Sequence, residues 1–237
     1  MAVYITGDIH GEVKRLVKFA KRLQLTSDDT IVILGDAGLN YFLDSRDTWR
    51  KEKLSKLPCT IFCIHGNHEC RPKNLATYTL EEYFGGPVYI ESNYPNIKFA
   101  KDGEVYQIPS DDGTVHSVLV CGGAYSVDKY YRLQTGNKWF SDEQPSEKTK
   151  HLVENVLESR GWIVDDIFTH TGPVSAEPVE MFLTGLDQST VDKSTEIWLE
   201  SILKRMKSFK RWWFGHYHCN KIVNNKIIIL FDSFELF

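Results

Sequence analysis

An α/β fold built around a parallel sheet is what this sequence predicts, and three observations predict it. Short apolar runs recur along the chain, each stopped by a glycine or a polar turn. Amphipathic helical spacing separates the first of them. The residues just past the stops are repeatedly His, Asp or Asn. Thr30–Leu34 is the organising case: a continuous apolar run suits a strand covered on both faces, and Gly35-Asp36 then sets a carboxylate beyond its C-terminal end. Open α/β sheets build their sites at that end.

Taken in order, Val3–Thr6 is a β-prone run that breaks at Gly7, followed by Asp8-Ile9-His10-Gly11. Val13, Leu16, Val17 and Ala20 then recur at helical spacing among Lys and Arg. Ile31–Leu34 is the second strand, and Arg46–Leu57 reads as a helix with Pro58 as its stop. Thr60–Ile64 is a third buried strand ending in His65-Gly66-Asn67-His68-Glu69. Three strand-to-turn units with helices between them imply right-handed parallel crossovers.

Beyond Gly85-Gly86 the character changes. Val88–Ile90, Ile97–Phe99, Val105–Ile108 and Val115–Val120 suggest a meander or a second sheet. Tyr125–Pro145 has no clear period and reads as a long functional loop or short helices. Ser146–Arg160 looks helical, with Ser146 as its cap. Asp166–Thr169 is a strand ending at His170, and Ser194–Met206 is a helix. Arg211–Phe214 leads into Gly215-His216-Tyr217-His218, and Lys226–Phe231 closes the chain as a strand. With no repeat, low-complexity tract or linker, residues 1–237 read as one domain.

The 237 residues, 42% hydrophobic and 25% charged, have the composition of an ordinary soluble protein able to bury a large core. The net charge of -4 argues against nucleic acid as the main partner, although a local basic patch stays open. Five cysteines, an odd number without CxxC spacing, fit free thiols in a reducing compartment. The start lacks a signal-peptide pattern and no apolar run is long enough to span a bilayer, so a cytoplasmic protein with no membrane partner is expected.

Asp8, His10, Asp36, Asn67, His68, His170, His216 and His218 come from five segments. If those strand ends meet, two carboxylates, one amide and five imidazoles converge, more than one ion needs. Mixed imidazole and oxygen donors suit Mn, Fe, Zn or Co rather than Ca or a structural thiolate zinc site. Singly, a DxHG or a GD is an ordinary turn, and a lone His170 a satisfied polar residue. Five such segments in one order are a different matter.

Asp8-x-His10-Gly11, Gly35-Asp36, Gly66-Asn67-His68-Glu69, His170 and Gly215-His216-x-His218 resemble, in order, the five motifs of the calcineurin-like metallophosphoesterase superfamily. The resemblance spans positions 8 to 218. It implies a four-layer α/β/β/α sandwich with two mixed sheets. It further implies that Asp8, His10 and His218 hold one metal ion, that Asp36 bridges to a second, and that Asn67, His170 and His216 complete it. His68 would be the catalytic histidine. The ions would be divalent or mixed-valence, manganese first, with iron or zinc as alternatives, and a bound water would supply hydroxide near neutral pH. Two divalent ions, two aspartates and a bridging hydroxide leave the centre at about +1, which attracts an anionic phosphoester.

The expected activity is therefore hydrolysis of a phosphoester by metal-bound hydroxide, with a phosphomonoester on a protein or small molecule as substrate. A phosphodiesterase or nuclease on the same centre is the alternative. A scaffold that has lost catalysis is a remote one, since no ligand is missing. One departure matters. In the protein Ser/Thr phosphatase branch the second motif reads GDxVDRG, and its later Asp and Arg orient the histidine and bind phosphate. Leu39 and Asn40 stand at those positions here. Replacements are sought in Arg132, accompanied by Asp128 and Lys129, and after it in Arg71; each is otherwise a solvated charge. Tyr125, Tyr130, Tyr131 and Trp139 stand as packing or as a substrate wall.

Of the remaining histidines, His65 is assigned to its strand, His116 to a turn or strand, and His151 to a helix surface. Trp212-Trp213 is assigned to the core. Cys219 reads as a small buried filler.

Overall fold

The apolar runs that lead into the polar turns are strands buried on both faces, and in the first sheet their alternating side chains feed two different cores. A computed structural model of the protein describes residues 1–182 and 187–237. The chain begins with strand β1 (Val3–Thr6), helix α1 (Val13–Leu23), strand β2 (Thr30–Ile33), helix α2 (Ser45–Leu54) and strand β3 (Thr60–Cys63). β1, β2 and β3 pair in parallel, Ile5 opposite Val32 and Val32 opposite Phe62. Ile31, Ile33, Ile61 and Cys63 face α1 and α2, where Leu16, Phe19, Ala20 and Leu54 cover them. Val32, Leu34, Phe62 and Ile64 face the other way, into the space between the sheets. That is why these runs show no polar alternation.

The next five strands split. β4 (Tyr78–Tyr83) and β5 (Gly86–Glu91) form a hairpin whose two-residue turn, Phe84-Gly85, has φ of 53° and 71°. Both values are positive, as the primed hairpin turns require. β6 (Ile97–Ala100) pairs antiparallel with β5 and parallel with β3. The first sheet thus runs β4-β5-β6-β3-β2-β1, with a short C-terminal strand, β13 (Glu235–Leu236), added on β1. β7 (Val105–Pro109) and β8 (Val115–Cys121) open the second sheet instead. The expected single meander is therefore divided between the sheets, and the chain crosses over at residues 101–104. Pairing of β6 with β3 is a long-range choice that local periodicity does not encode.

After β8 come α3 (Lys129–Thr135), α4 (Glu147–Ser159), β9 (Asp166–Thr169), α5 (Ser194–Arg205), β10 (Arg211–Phe214), β11 (Lys221–Asn224) and β12 (Ile227–Ile229). The second sheet has the order β11-β12-β10-β9-β8-β7, with β8, β9, β10 and β12 parallel. Its outer face, including Ile167, Trp212 and Phe214, is covered by Val153 and Leu157 of α4 and Trp198, Leu199 and Ile202 of α5. Its inner face contributes Tyr106, Val118, Phe168 and Trp213 to the core shared with the first sheet. Helix, sheet, sheet and helix make four layers, seven strands against six. No described helix is long and apolar enough to cross a membrane.

Several bounds differ from the sequence expectation. α2 ends at Leu54, before Pro58, because residues 55–57 tighten into a turn with Leu57 N–H donating to the Leu54 carbonyl. The strand expected to close the chain over Lys226–Phe231 covers Ile227–Ile229, and the short β13 follows it. β4 has the exposed, charged face of an edge strand and gives no apolar signal.

Candidate metal centre

The C-terminal ends of β1, β2 and β3 in one sheet and of β9 and β10 in the other meet at one place, and the loops beyond them are tied to each other. His10 N–H donates to the Asp36 carbonyl at 2.8 Å, Gly215 N–H to the His170 carbonyl at 2.9 Å, and His170 Nδ1–H crosses between the sheets to the Leu34 carbonyl at 2.8 Å. Glycines allow this crowding. A Cβ on Gly66 would lie 2.0 Å from Asp36 Oδ1, and one on Gly35 would lie 2.0 Å from His170 Nδ1. Among the described residues, eight non-glycine residues have positive φ, and His10, Asp36, His216 and His218 are half of them. Such backbone is costly and concentrates where a site demands a particular direction.

Three donor groups converge here: Asp8, His10 and His218; His10, Asp36 and His68; Asp8, Asp36 and His170, each within 4.8 Å. Asp8 Oδ1 accepts from His216 N–H at 2.9 Å. Its Oδ2 is buried and makes no hydrogen bond, although His218 Nε2 lies 3.2 Å away and His10 Nε2 3.7 Å away. The two imidazole nitrogens are themselves 2.9 Å apart. A buried, unpartnered carboxylate oxygen facing two imidazoles is a cation site by the chemistry of its donors.

The second half is built around Asn67. Its Nδ2 donates to Ser126 Oγ at 2.8 Å, which turns Oδ1 toward His170 Nε2 at 2.7 Å and His216 Nδ1 at 3.2 Å. Asp36 lies between the halves, with Oδ2 3.8 Å from His10 Nε2 and 3.6 Å from His170 Nε2, while Oδ1 accepts from His68 N–H at 2.7 Å. Burial and the neighbouring Asp8 push the Asp36 carboxyl up despite His170. Burial would push Asp8 up too, but His170, His10 and His218 hold it well below the usual range. Burial, then His170, depresses His216 to about 3, leaving a neutral imidazole free to act as a ligand. Asp8, Asp36, Asn67 and His170 are buried, whereas His10, His68 and His218 reach the rim.

His68 has company that the sequence reading only partly anticipated. Arg132, on α3, brings Nη2 against both nitrogens of the His68 ring, 3.1 Å from Nε2, and the unprotonated one of the two accepts from it. Arg132 is fixed in turn by Asp128 Oδ2, 2.7 Å from Nε, and by the Lys138 carbonyl, 3.1 Å from Nη1. Asp128 Oδ1 lies 3.9 Å from His68 Nε2 and has no hydrogen-bond partner. Leu39 is fully buried in the apolar core, and Asn40 accepts from the Tyr78 hydroxyl at 3.1 Å. Those two positions serve packing, while Asp128, just before α3, and Arg132, on it, set a carboxylate and a guanidinium beside His68.

Arg71 is not brought to the cluster. Its guanidinium pairs with Asp102 and donates from Nε to the Asp142 carbonyl at 2.7 Å. Of the aromatics in the Tyr125–Pro145 segment, Tyr125 is buried, Trp139 donates to Glu143, and Tyr130 and Tyr131 are exposed. Ser126 and Glu69 escaped the sequence reading as site residues. Glu69 is fully buried and accepts from Gly66 N–H and Gly38 N–H, both at 3.2 Å, so it staples the second and third loops together. The Glu of Gly66-Asn67-His68-Glu69 was visible, but its role depends on a loop 31 residues away.

Comparisons with known proteins bear on the family and the fold. The family model described as calcineurin-like phosphoesterase matches residues 1–220. A phosphopantetheinyl hydrolase from Mycobacterium tuberculosis superposes with a TM-score of 0.52 at 13% identity, over 96% of this chain and 87% of that one. The protein TT1561 of Thermus thermophilus gives 0.50 at 11% identity, over 99% and 97%. Curated protein sequences yield no match.

Proposed function

This chain belongs to the calcineurin-like phosphoesterase family of metal-dependent hydrolases, and we propose that its substrate is a phosphomonoester on a protein or small molecule. In this reading Asp8, His10 and His218 would hold one ion, Asn67, His170 and His216 would hold the second, and Asp36 would serve both. Manganese is the first candidate, with iron or zinc as alternatives that suit the same donors. When bound, the pair supplies Lewis acidity toward the phosphoryl group and a nucleophile at neutral pH.

The chain's own side chains do the rest. His68, at the rim, carries a proton to the oxygen of the departing alcohol. Arg132 offers guanidinium N–H donors to terminal phosphate oxygens, and Asp128 holds that guanidinium in place. The observation that carries the monoester reading is Arg132 in contact with His68 at the edge of the cluster. A guanidinium there adds charge and paired donors suited to a dianion, which offers one more terminal oxygen than a diester does. The five buried free cysteines support a reducing, cytoplasmic setting.

With Mn²⁺, purified protein is expected to hydrolyse p-nitrophenyl phosphate faster than its bis ester, and His68→Ala to cut the rate at least about a hundredfold. A preference for the bis ester would move the assignment to a phosphodiesterase. No turnover of either ester by metal-loaded protein would end the catalytic reading.

A further inference from the structure

Asp8 and His218 share a support that none of the five sequence motifs contains. Of the three donors on that side of the cluster, Asp8, His10 and His218, the last is the most exposed. Among the described residues its Nδ1 has no hydrogen-bond partner, whereas His170 Nδ1 donates to the Leu34 carbonyl. A ligating imidazole is ordinarily oriented by a hydrogen bond at its other nitrogen. For His218 a ring face takes that place. Phe231 stacks on the imidazole, with centroids 4.8 Å apart and planes 20° apart. Near-parallel stacking of this kind restricts the plane of the ring, and His218 Nε2 lies 3.2 Å from Asp8 Oδ2.

Phe231 is itself held at both ends of its backbone. It follows β12 and lies past residue 220, where the match to the family model ends. Its N–H donates at 2.8 Å to Oδ1 of Asn220, two residues beyond His218. Its carbonyl accepts from Nη2 of Arg15 at 3.1 Å, and the same Nη2 donates to the Asp8 carbonyl at 2.7 Å. Arg15 stands in the first turn of α1, so it joins the segment that carries Phe231 to the loop that carries Asp8. The two segments approach closely: a Cβ on Gly7 would lie 2.0 Å from the Leu230 carbonyl oxygen.

We propose that Phe231 and Arg15 are positioning residues for the first ion. Phe231 sets the plane of His218, and Arg15 fixes Phe231 against Asp8. The proposal rests on the reading in which Asp8, His10 and His218 hold that ion. An exposed histidine loses rotamer freedom when it takes up an ion, and a ring already held in plane loses less. The effect therefore belongs to metal affinity.

Calorimetric titration of metal-free protein with Mn²⁺ reads that affinity without turnover. Wild type is expected to take up two ions per chain. Phe231→Leu keeps an apolar side chain but removes the flat face, and should weaken one ion at least about tenfold while leaving the other little changed. Phe231→Tyr restores the face and should bind as wild type does. Arg15→Met keeps the apolar stem but loses the donors, and should weaken the same ion. Thermal melts of the metal-free variants check that each is folded. In a His218→Ala background, Phe231→Leu should cause no further loss, because its effect passes through that ring. Wild-type affinity for both ions in folded Phe231→Leu or Arg15→Met overturns the proposal and leaves the cluster reading intact. A tenfold loss that persists in the His218→Ala background does the same. Wild-type protein that takes up no Mn²⁺ overturns the cluster reading, and the proposal with it.

Discussion

At the residue scale, the contact between His68 and Arg132 separates two roles that a single substitution could confuse. His68 is read as the proton carrier and Arg132 as the phosphate clamp, with Asp128 positioning Arg132 and placing a carboxylate oxygen 3.9 Å from His68 Nε2. Arg132→Ala should then raise KM for p-nitrophenyl phosphate about tenfold or more while lowering kcat less. Asp128→Asn keeps the volume but removes the charge, so it should lower kcat and move the alkaline limb of the pH–rate profile to lower pH, because the proton carrier must stay protonated. Steady-state kinetics across pH separates these outcomes. Equal losses in kcat with unchanged KM for both variants would mean that Arg132 does not bind the substrate. The sequence flagged Arg132 because Leu39 and Asn40 broke a known pattern. It offered no way to learn that α3 reaches His68, since 64 residues separate the partners.

At the scale of elements, helix starts were legible because their chemistry is local. Ser146 caps α4 through a hydrogen bond from Thr149 N–H at 3.2 Å, as the Ser before an amphipathic run suggests. Ser146→Ala should cost about 1 kcal/mol, read as a lower urea midpoint at unchanged slope. A change below a few tenths would mean that the first turn is satisfied by other groups. The ends of elements were less legible. α2 stops three residues before its expected end, at a turn that Pro58 merely follows. β4 was missed because an edge strand keeps its charges outward. Buried strands such as β2 and β3 were readable because both of their faces meet a core.

At the scale of the molecule, stability carries a pH signature away from the metal cluster. Glu196, in the first turn of α5, is 5% exposed, and its Oε1 accepts from the Thr171 hydroxyl at 2.9 Å while Oε2 has no partner. Burial pushes its carboxyl up to about 7. The folded state therefore holds this proton in a range where the unfolded chain has lost it. Its stabilising contribution is full below the unfolded value near 4.5 and disappears as pH rises through about 7. Glu196→Gln should remove that loss and stabilise the protein at pH 8, relative to wild type, by up to about 3 kcal/mol, with little gain at pH 4.5. Urea unfolding at both pH values checks this. A gain that is the same at both would assign the effect to packing.

By itself, the sequence determined the chemistry of the centre and the buried strands that carry it. Asp8, His10, Asp36, Asn67, His170, His216 and His218 stand just past apolar runs, and donor type and strand period are both local properties. Only the tertiary structure decided how residues 86–121 divide between two sheets, since β-pairing joins segments with no local code for their partner. It also decided what supports the centre. Ser126 turns Asn67, Glu69 joins two loops, and Arg132 with Asp128 meets His68. Each of these is a hydrogen bond or charge contact across a long loop, formed only after the sheets have brought their ends together. Asp36 is the clearest instance: its type and position are in the sequence, but its place between two groups of imidazoles belongs to the fold.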